Sequence, residues 1–311
     1  MKIAVAAFAF LSVAPALLAA ETPTVQERLG QPRSARLLVI HADDFGMSHS
    51  VNRATSEALQ QGWITSASIL VPCPWFPEVV RFARENPDAD LGIHLALNSE
   101  WTGFRWGPVS GRDSVPSLLD ADGYLPLEET AVVAHAKPAE IERELKAQVE
   151  KARGAGILIS HFDSHMATLF RTPEFFEVYR RVGAAYDMPL LIERLGERGG
   201  SESSWNPGAQ ADALVDRVVS IEPGVPASEW LVAYKKMLAP LPPGAYELIV
   251  HLAYDDDEMR GASYDHPNWG AAWRQSDLDM VKSQAFRDFL KEQGFVLVRW
   301  RDLAKARQRS R

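Results

Sequence analysis

The sequence predicts an α/β fold, and a (β/α) barrel is the architecture that it favours. Eight short apolar runs alternate with helical patterns, which is typical of parallel strands joined by helices. Eight is also the number of strands that closes a (β/α) barrel. Histidines and acids recur where several of these runs end, and in barrels the loops that follow the strands form the active-site face.

Each strand candidate is a short, mainly apolar run flanked by polar or helical sequence. In chain order the candidates are Leu37–His41, Ile64–Val71, Leu91–Leu97, Ile157–Phe162, Pro189–Glu193, Arg217–Ile221, Tyr246–Leu252 and Phe295–Trp300. Two helical patterns are clear. The first runs from Pro138 to about Arg153 and carries an apolar stripe. The second is predicted to begin after Ser276 as its N-cap, with Asp277 in its first turn, and to stop at Gly294.

The composition is that of a soluble globular protein, with 46% hydrophobic and 24% charged residues. A formal net charge of -8 and a pI near 5.6 argue against nucleic acid as a main partner, because phosphate neutralisation needs clustered Lys and Arg. Cys73 is the only cysteine, so an intrachain disulfide is excluded and stability must come from packing.

The N-terminus resembles a secretory signal peptide at residues 1–20, with Lys2 followed by an uncharged run from Ile3 to Ala20. Cleavage would leave a periplasmic or secreted protein with no stable membrane span. The same run could instead remain as a membrane anchor, since its length approaches a minimal span. Residues 21–35 are predicted to be a linker, and residues 306–311 a basic tail.

Three long connections are expected to be functional, because long loops in a compact domain usually carry function or are disordered. They run from Asn98 to about Leu125, from Gly196 to Gln210 and from Tyr254 to Gln275. The first and third are rich in Trp, Tyr and Phe. These aromatic residues could stack against sugar rings or could anchor the loops to the core.

Two adjacent carboxylates, Asp43 and Asp44, follow the buried strand Leu37–His41. Neighbouring carboxylates repel one another and resist ionisation where the dielectric is low. A bound metal ion is the most economical compensation. One acid could then bind the ion and the other remove a proton from water, although the sequence does not say which does which.

Four histidines stand at or near strand ends, together with the acid pair. His94 lies inside an apolar strand, His165 shares a face with His161 and Asp163 by period-2 alternation, and His251 ends a further strand. Any one of them alone is more often a core histidine than a ligand. Together they favour a hydrolytic centre in which two histidines and one carboxylate hold an ion with open positions, with zinc as the first expectation from ligand type.

These motifs resemble the YdjC-like family of carbohydrate deacetylases. The resemblance covers roughly Leu37 to Leu303. It is carried by His-Ala-Asp-Asp-Phe-Gly at 41–46, Gly62-Trp63-Ile64-Thr65-Ser66, Gly92-Ile93-His94-Leu95, Asp163-Ser164-His165 and Tyr246-Glu247-Leu248 continuing to His251. It implies a single distorted (β/α) barrel domain, placed at residues 36–305, which hydrolyses N-acetyl groups of amino sugars with a divalent metal, zinc or magnesium.

The resemblance also implies a role for each site residue. Asp44, His94 and His165 would bind the metal, and Asp43 would be the general base. His251 would assist by stabilising the oxyanion or by protonating the departing amine. The order of the two aspartates is taken from the related acid pair of polysaccharide deacetylases and could be reversed.

The chain departs from the family pattern after Asp-Ser-His, where Met166-Ala167-Thr168-Leu169-Phe170 replaces further histidines. His251-Leu252-Ala253 also replaces the family's His-Pro-Gly. Two alternatives therefore stay open: a metal hydrolase of another amide or ester, and a non-catalytic glycan-binding barrel. The expected partner is an N-acetylated carbohydrate, and a homodimer is possible.

Overall fold

The structure is a computed structural model, and it describes residues 23–194 and 213–308. The predicted signal peptide, the predicted loop Gly196–Gln210 and the end of the predicted basic tail lie outside these residues. No helix within the two described ranges is long and apolar enough to cross a membrane.

Seven strands within the described ranges form one parallel sheet, and each corresponds to one of the eight predicted runs. The order β4-β3-β2-β1-β6-β5 defines the sheet, with β7 paired to β1. The strands are β1 Arg36–Phe45, β2 Ser66–Ile69, β3 Leu91–Leu95, β4 Ile159–Ser164, β5 Arg217–Val219, β6 Gly244–Val250 and β7 Phe295–Leu297. The sheet curls into a distorted (β/α) barrel, as the sequence predicts.

The predicted strand Pro189–Glu193 is wrong as a regular strand, because this segment makes only isolated bridges. Leu190 bridges Phe162 of β4, and Glu193 bridges Val215 just before β5. The segment changes partner within four residues, so neither side builds a continuous ladder. It nevertheless joins the two edges of the sheet and so occupies a barrel position.

Two strands, β7 and β2, pair with the same side of the long central strand β1, at different positions along it. β7 pairs with its first three residues, whereas β2 pairs with the stretch from His41 to Phe45. β6 pairs with the opposite side from Arg36 to Ala42. Seven strands and this shared side explain why the barrel departs from regular eightfold geometry.

Eleven α-helices surround the sheet in the described part of the chain. One of them lies in the predicted linker, and another extends into the predicted basic tail. They are α1 Val25–Arg28, α2 His49–Gln60, α3 Phe76–Glu85, α4 Glu129–His135, α5 Pro138–Gly154, α6 Pro173–Ala185, α7 Trp230–Leu238, α8 Asp257–Ala262, α9 Ala271–Lys282, α10 Gln284–Glu292 and α11 Trp300–Gln308. Helix α5 agrees with its prediction to within one residue.

The predicted helix from Ser276 to Gly294 is wrong, because the chain forms two helices there. The side chain of Ser276 donates to the Ala272 carbonyl inside α9, so it caps nothing. Ser283 separates the helices and caps α10 by accepting from the Phe286 amide. Asp277 lies in the interior of α9 and is fully buried.

Strand β1 is apolar on both faces, as expected for a parallel strand covered by helices. Leu38 and Ile40 pack in the larger hydrophobic cluster, whereas Leu37 and Val39 pack in a smaller cluster with Trp300 of α11. Alternation along the strand therefore places His41 and Asp43 on the same face as Leu37 and Val39. That face points into the barrel, where the polar residues of the site converge.

Candidate active site

One cavity at the carboxyl ends of the strands brings together all five residues predicted for the site. Asp43 and Asp44 end β1, His94 lies in β3, His165 follows β4 and His251 follows β6. All five line a cavity of about 620 Å³. Because parallel strands end at the same edge of a sheet, residues far apart in the sequence become neighbours there.

The backbone at Asp44 brings both acids into this cavity. Regular alternation would point Asp43 and Asp44 to opposite faces of the sheet. Instead, Asp44 has a left-handed φ of 69°, and the pairing of β1 with β2 is irregular between Ala42 and Phe45. This local irregularity turns the strand end so that both carboxylates face the site.

We call Asp44, His94 and His165 the outer group. The Oδ1 atom of Asp44 lies 3.6 Å from His94 Nε2 and 3.6 Å from His165 Nδ1. The three donor atoms lie within 4.8 Å of one another, and all three residues are buried. Asp44 Oδ1 is buried without a hydrogen-bond partner among the described residues. One carboxylate and two imidazoles with an orphaned oxygen between them fit a divalent ion such as zinc.

Each histidine of the outer group contacts a further carboxylate through its other ring nitrogen. His94 Nδ1 is 2.7 Å from Asp163, and His165 Nε2 is 2.9 Å from Glu100. Such partners fix the tautomer of a histidine and direct its other nitrogen toward a ligand. Sequence reasoning missed Glu100, which lies in the loop after β3. Its only signal was its place in a long loop beyond a strand end.

Arg274 is a further residue of the site that sequence reasoning missed. Its Nη2 donates to Asp44 Oδ2 at 2.7 Å, and its Nε donates to the Trp269 carbonyl at 3.1 Å. Both side chains of the Arg274–Asp44 pair are buried. The pair occupies one oxygen of Asp44 and leaves the other free for the two histidines. Arg274 comes from α9, and no motif marks it in the sequence.

The two aspartates have opposite pKa shifts. Burial raises the pKa of Asp43 to about 6, against the opposing charge of His94. Burial also disfavours the charged form of Asp44, but Arg274 and then the neighbouring histidines overcome it and hold its pKa well below the usual range. The acids therefore differ in character: Asp44 is a permanent carboxylate, and Asp43 is one that can exchange a proton near neutral pH.

Asp277 fixes the position of His251 through a hydrogen bond to its backbone. The backbone N–H of His251 donates to Asp277 Oδ2 at 2.8 Å, and the other oxygen of Asp277 accepts from Trp230 and Tyr234. The His251 Nε2 atom lies 3.8 Å from Asp43 Oδ2. Burial lowers the pKa of His251 to about 3, so its ring is neutral at neutral pH.

The departures from the family pattern have structural counterparts. Leu252 and Ala253, which follow His251, are fully buried in the core. Met166 and Ala167, which follow His165, adopt left-handed φ values of 50° and 54° and line the cavity. The structure therefore places apolar side chains where the resemblance led us to expect further histidines.

The aromatic residues of the loops divide into two sets. Trp101 and Trp106 are almost fully buried and anchor the loop after β3, and Trp101 also forms part of the cavity lining. Trp269 is 37% exposed and lines the cavity, whereas Tyr264 is 68% exposed outside it. Trp269 is therefore the aromatic side chain best placed to meet a ligand, and anchoring explains most of the others.

The acidic run that begins at Asp255 has a structural role. Asp255 pairs with Arg260, and Asp256 caps α8 by accepting from the Met259 amide. None of the three acids at 255–257 lines the cavity.

Comparison with known proteins gives one consistent match. The profile of the YdjC-like protein family matches residues 37–292. A carbohydrate deacetylase of Thermus thermophilus is 32% identical over 90% of this chain and 98% of its own length. A carbohydrate deacetylase of Brevibacillus brevis is 28% identical over 86% of this chain and 99% of its own.

A solved structure shares the fold. The crystal structure of a proposed cellobiose-phosphate cleavage protein from Enterococcus faecalis V583 superposes with a TM-score of 0.72 at 23% sequence identity. The match covers 87% of this chain and 99% of that one.

Proposed function

Because this chain belongs to the YdjC-like family, we propose that it is a metal-dependent carbohydrate deacetylase that removes N-acetyl groups from an amino sugar or oligosaccharide. The proposal rests on the outer group, which places one carboxylate and two histidines around a point beside a second, proton-exchanging acid. The relatives named carbohydrate deacetylase match over nearly their whole lengths and supply the substrate class.

Asp44, His94 and His165 would hold the ion. The two imidazoles favour zinc over magnesium, which prefers oxygen ligands. A divalent ion held there would supply Lewis-acid polarisation of the acetyl carbonyl and lower the pKa of an attacking water. Arg274 keeps Asp44 ionised and oriented, while Asp163 and Glu100 orient the two histidines.

The remaining chemistry is proton transfer by the chain itself. Asp43 would accept a proton from the water as it adds to the carbonyl carbon, and its pKa of about 6 suits a general base near neutral pH. The C–N bond then breaks to give acetate and a free amine, and the amine nitrogen takes the proton that Asp43 had accepted from the water. Neutral His251, on the other side of Asp43, would donate an N–H to the developing oxyanion.

The cavity is consistent with a sugar-sized ligand. Its volume of about 620 Å³ falls within the usual range for small-molecule sites, roughly 300 to 1,000 Å³. Trp269 and Met166 supply apolar surface in its lining, and Glu193 and Glu222 supply acceptors for hydroxyl groups. A mixed lining of this kind suits a carbohydrate.

Metal removal is expected to abolish deacetylation. Purified protein should release acetate from N-acetylglucosamine oligomers, lose that activity after dialysis against a chelator, and regain it with zinc. Acetate can be quantified by an enzyme-coupled assay, with untreated protein and chelator-treated protein without added metal as references. Full activity in thoroughly chelated protein would refute metal dependence. Absence of acetate release from every acetylated glycan, with another amide or ester cleaved instead, would refute the substrate class.

We also propose that the protein acts outside the cytoplasm. The basic and apolar segment at residues 1–20 supports this proposal. In a bacterial host, the full chain should appear in the periplasm or medium with this segment removed, and a chain that begins at Glu21 should stay in the cytoplasm. Mass spectrometry of the exported protein identifies the new N-terminus. Equal cytoplasmic retention of both chains would contradict export.

A further inference from the structure

A second set of metal-ligand side chains lies deeper in the barrel than the outer group. We call His41, Asp43, His161 and Asp163 the inner group. His41 and Asp43 come from β1, and His161 and Asp163 come from β4. All four residues are at least 94% buried, and His41 and His161 are fully buried. Four polar side chains enclosed in a barrel need partners, because buried polar groups are costly when unpaired.

Each of these side chains has at least one atom without a partner, and His41 has two, Nδ1 and Nε2. His41 Nε2, Asp43 Oδ1, His161 Nε2 and Asp163 Oδ2 are buried without a hydrogen bond to any described residue. Two of the contacts among them are short but are not aligned as hydrogen bonds. His41 Nε2 lies 3.2 Å from Asp163 Oδ2 and 3.4 Å from Asp43 Oδ1. The orphaned atoms of His41, His161 and Asp163 therefore surround a common point, with Asp43 Oδ1 beside His41.

The hydrogen bonds of His161 show that its Nε2 carries a lone pair. Ser160 Oγ donates its only hydrogen to Asp90 Oδ1 at 2.7 Å, and Asp90 also accepts from Ser66 and from the Arg301 amide. Ser160 can therefore only accept from His161 Nδ1, 2.9 Å away. With the proton on Nδ1, Nε2 is an acceptor, and it faces Asp163 Oδ2 at 3.9 Å. Two acceptors that face one another in this way leave a place for a positive group between them.

The spacing of the His41, His161 and Asp163 donor atoms is compatible with one metal ion. Zinc binds nitrogen and oxygen at about 2.0–2.2 Å in a tetrahedron, which places neighbouring donors about 3.3–3.6 Å apart. His41 Nε2 and His161 Nε2 lie 3.2 and 3.9 Å from Asp163 Oδ2. The rings of His41 and His161 meet edge to face with centroids 5.0 Å apart, so the two imidazoles approach from different directions. The donor atoms of His41, His161 and Asp163 lie within 4.8 Å of one another.

We propose that the inner group binds a second divalent metal ion of the zinc type, held by His41, His161 and Asp163. Neither histidine lines the cavity, so the ion is structural and lies out of reach of the substrate. The Asp163 carboxylate supplies the negative charge, and both imidazoles bind through Nε2. This site is additional to the outer group and does not depend on the substrate of the enzyme.

Neighbouring residues hold the inner group in place. The ring of His161 stacks on Trp300 with centroids 4.6 Å apart. On its other side, β3 carries Gly92, where a Cβ atom would lie only 2.3 Å from the His161 ring. Only glycine at position 92 therefore leaves enough space for the His161 ring.

Two aspartates connect the inner and outer groups. Asp163 directs Oδ2 to the inner group and Oδ1 to His94. Asp43 directs Oδ1 to the inner group, whereas its Oδ2 lies 3.7 Å from His94 Nε2. An inner ion would therefore hold Asp163 in place and, through it, orient His94 of the outer group.

A proton alone would not satisfy the inner group. Protonated His41 could bond one carboxylate, but the lone pair of His161 would still face Asp163 without a donor. A proton joins one donor to one acceptor, whereas a metal ion serves the three convergent donors at once. The geometry therefore favours an ion over a simple salt bridge.

The proposal is tested by counting metal ions. Chelated protein is reconstituted with zinc, desalted and analysed by plasma mass spectrometry. We expect two ions per wild-type chain, one in His161→Gln and one in His165→Gln. His135→Gln is the matched control, because His135 is an exposed histidine on α4, and it should keep two ions. One ion per wild-type chain, or two in a folded His161→Gln variant, would overturn the proposal.

Anomalous diffraction from wild-type crystals at the zinc edge gives an answer that needs no variant. Two peaks are expected, one beside Asp44 Oδ1 and one between His41 Nε2 and His161 Nε2. A single peak beside Asp44 would overturn the inner site and leave the outer one intact. The crystal therefore decides the matter even if His161→Gln does not fold.

Discussion

Replacement of Asp43 by asparagine is expected to lower the rate of acetate release by about 10²- to 10⁴-fold, the usual contribution of a positioned general base. Asparagine keeps the size of the side chain but cannot accept the proton of an attacking water. The change should not unfold the protein, because burial already raises the pKa of Asp43 to about 6 and disfavours its charged form. Initial rates on a fixed N-acetylglucosamine oligomer measure the effect, and thermal melting monitors folding.

Glu128→Gln is the matched control for Asp43→Asn. Glu128 lines the same cavity but is exposed, so loss of its charge should leave the rate near that of the wild type. A folded Asp43→Asn variant with the wild-type rate would remove Asp43 from the mechanism. If Asp44→Asn kept metal and lost only activity, the two aspartates would have exchanged roles.

Removal of the Arg274 side chain is expected to destabilise the chelated protein by about 3–5 kcal/mol, the range for breaking a buried ion pair by deleting one partner. Arg274→Ala leaves Asp44 as a buried carboxylate without its nearest cation. Urea unfolding at neutral pH measures the change in the free energy of unfolding. The matched control is Arg180→Ala, because Arg180 and its partner Glu177 are both exposed, and such pairs contribute less than about 1 kcal/mol.

The destabilisation should depend on pH. In the wild type, the pKa of Asp44 is held below its usual range, mainly by Arg274 acting against burial. A carboxylate with a lowered folded-state pKa stabilises the protein above its unfolded pKa, about 3.9, and the contribution is lost as the pH falls through the folded value. The difference between Arg274→Ala and wild type should therefore shrink in acid. An Arg274→Ala protein as stable as wild type at pH 7 would show that the pair contributes nothing.

Most of the fold could be predicted because the hydrophobic pattern determines it. Strands such as β1 are apolar on both faces, and parallel strands covered by helices produce that signal. The secondary-structure predictions were wrong where the local sequence pattern indicates one structure and tertiary contacts impose another. Pro189–Glu193 looks like a strand but shares its pairing between two neighbours, and Ser276 looks like an N-cap but lies inside a helix.

The candidate site could be predicted in part, through its titratable residues. Asp43, Asp44, His94, His165 and His251 stand at strand ends in the sequence, and the structure brings all five to one cavity. Their partners could not be predicted in the same way. Glu100, Arg274 and Asp277 belong to a loop and a helix, where charged residues are common and ordinarily exposed.

The sequence by itself determined the alternation of strands and helices, the acid pair and the histidines at the strand ends. Only the tertiary structure decided how Asp43 and Asp44 differ. The left-handed turn at Asp44 brings both carboxylates inside, and Arg274, 230 residues away, then pairs with only one of them. Charge interactions in a buried site depend on the distances between the groups and on the exclusion of water. The local sequence around Asp43 and Asp44 encodes neither, so it does not distinguish the two.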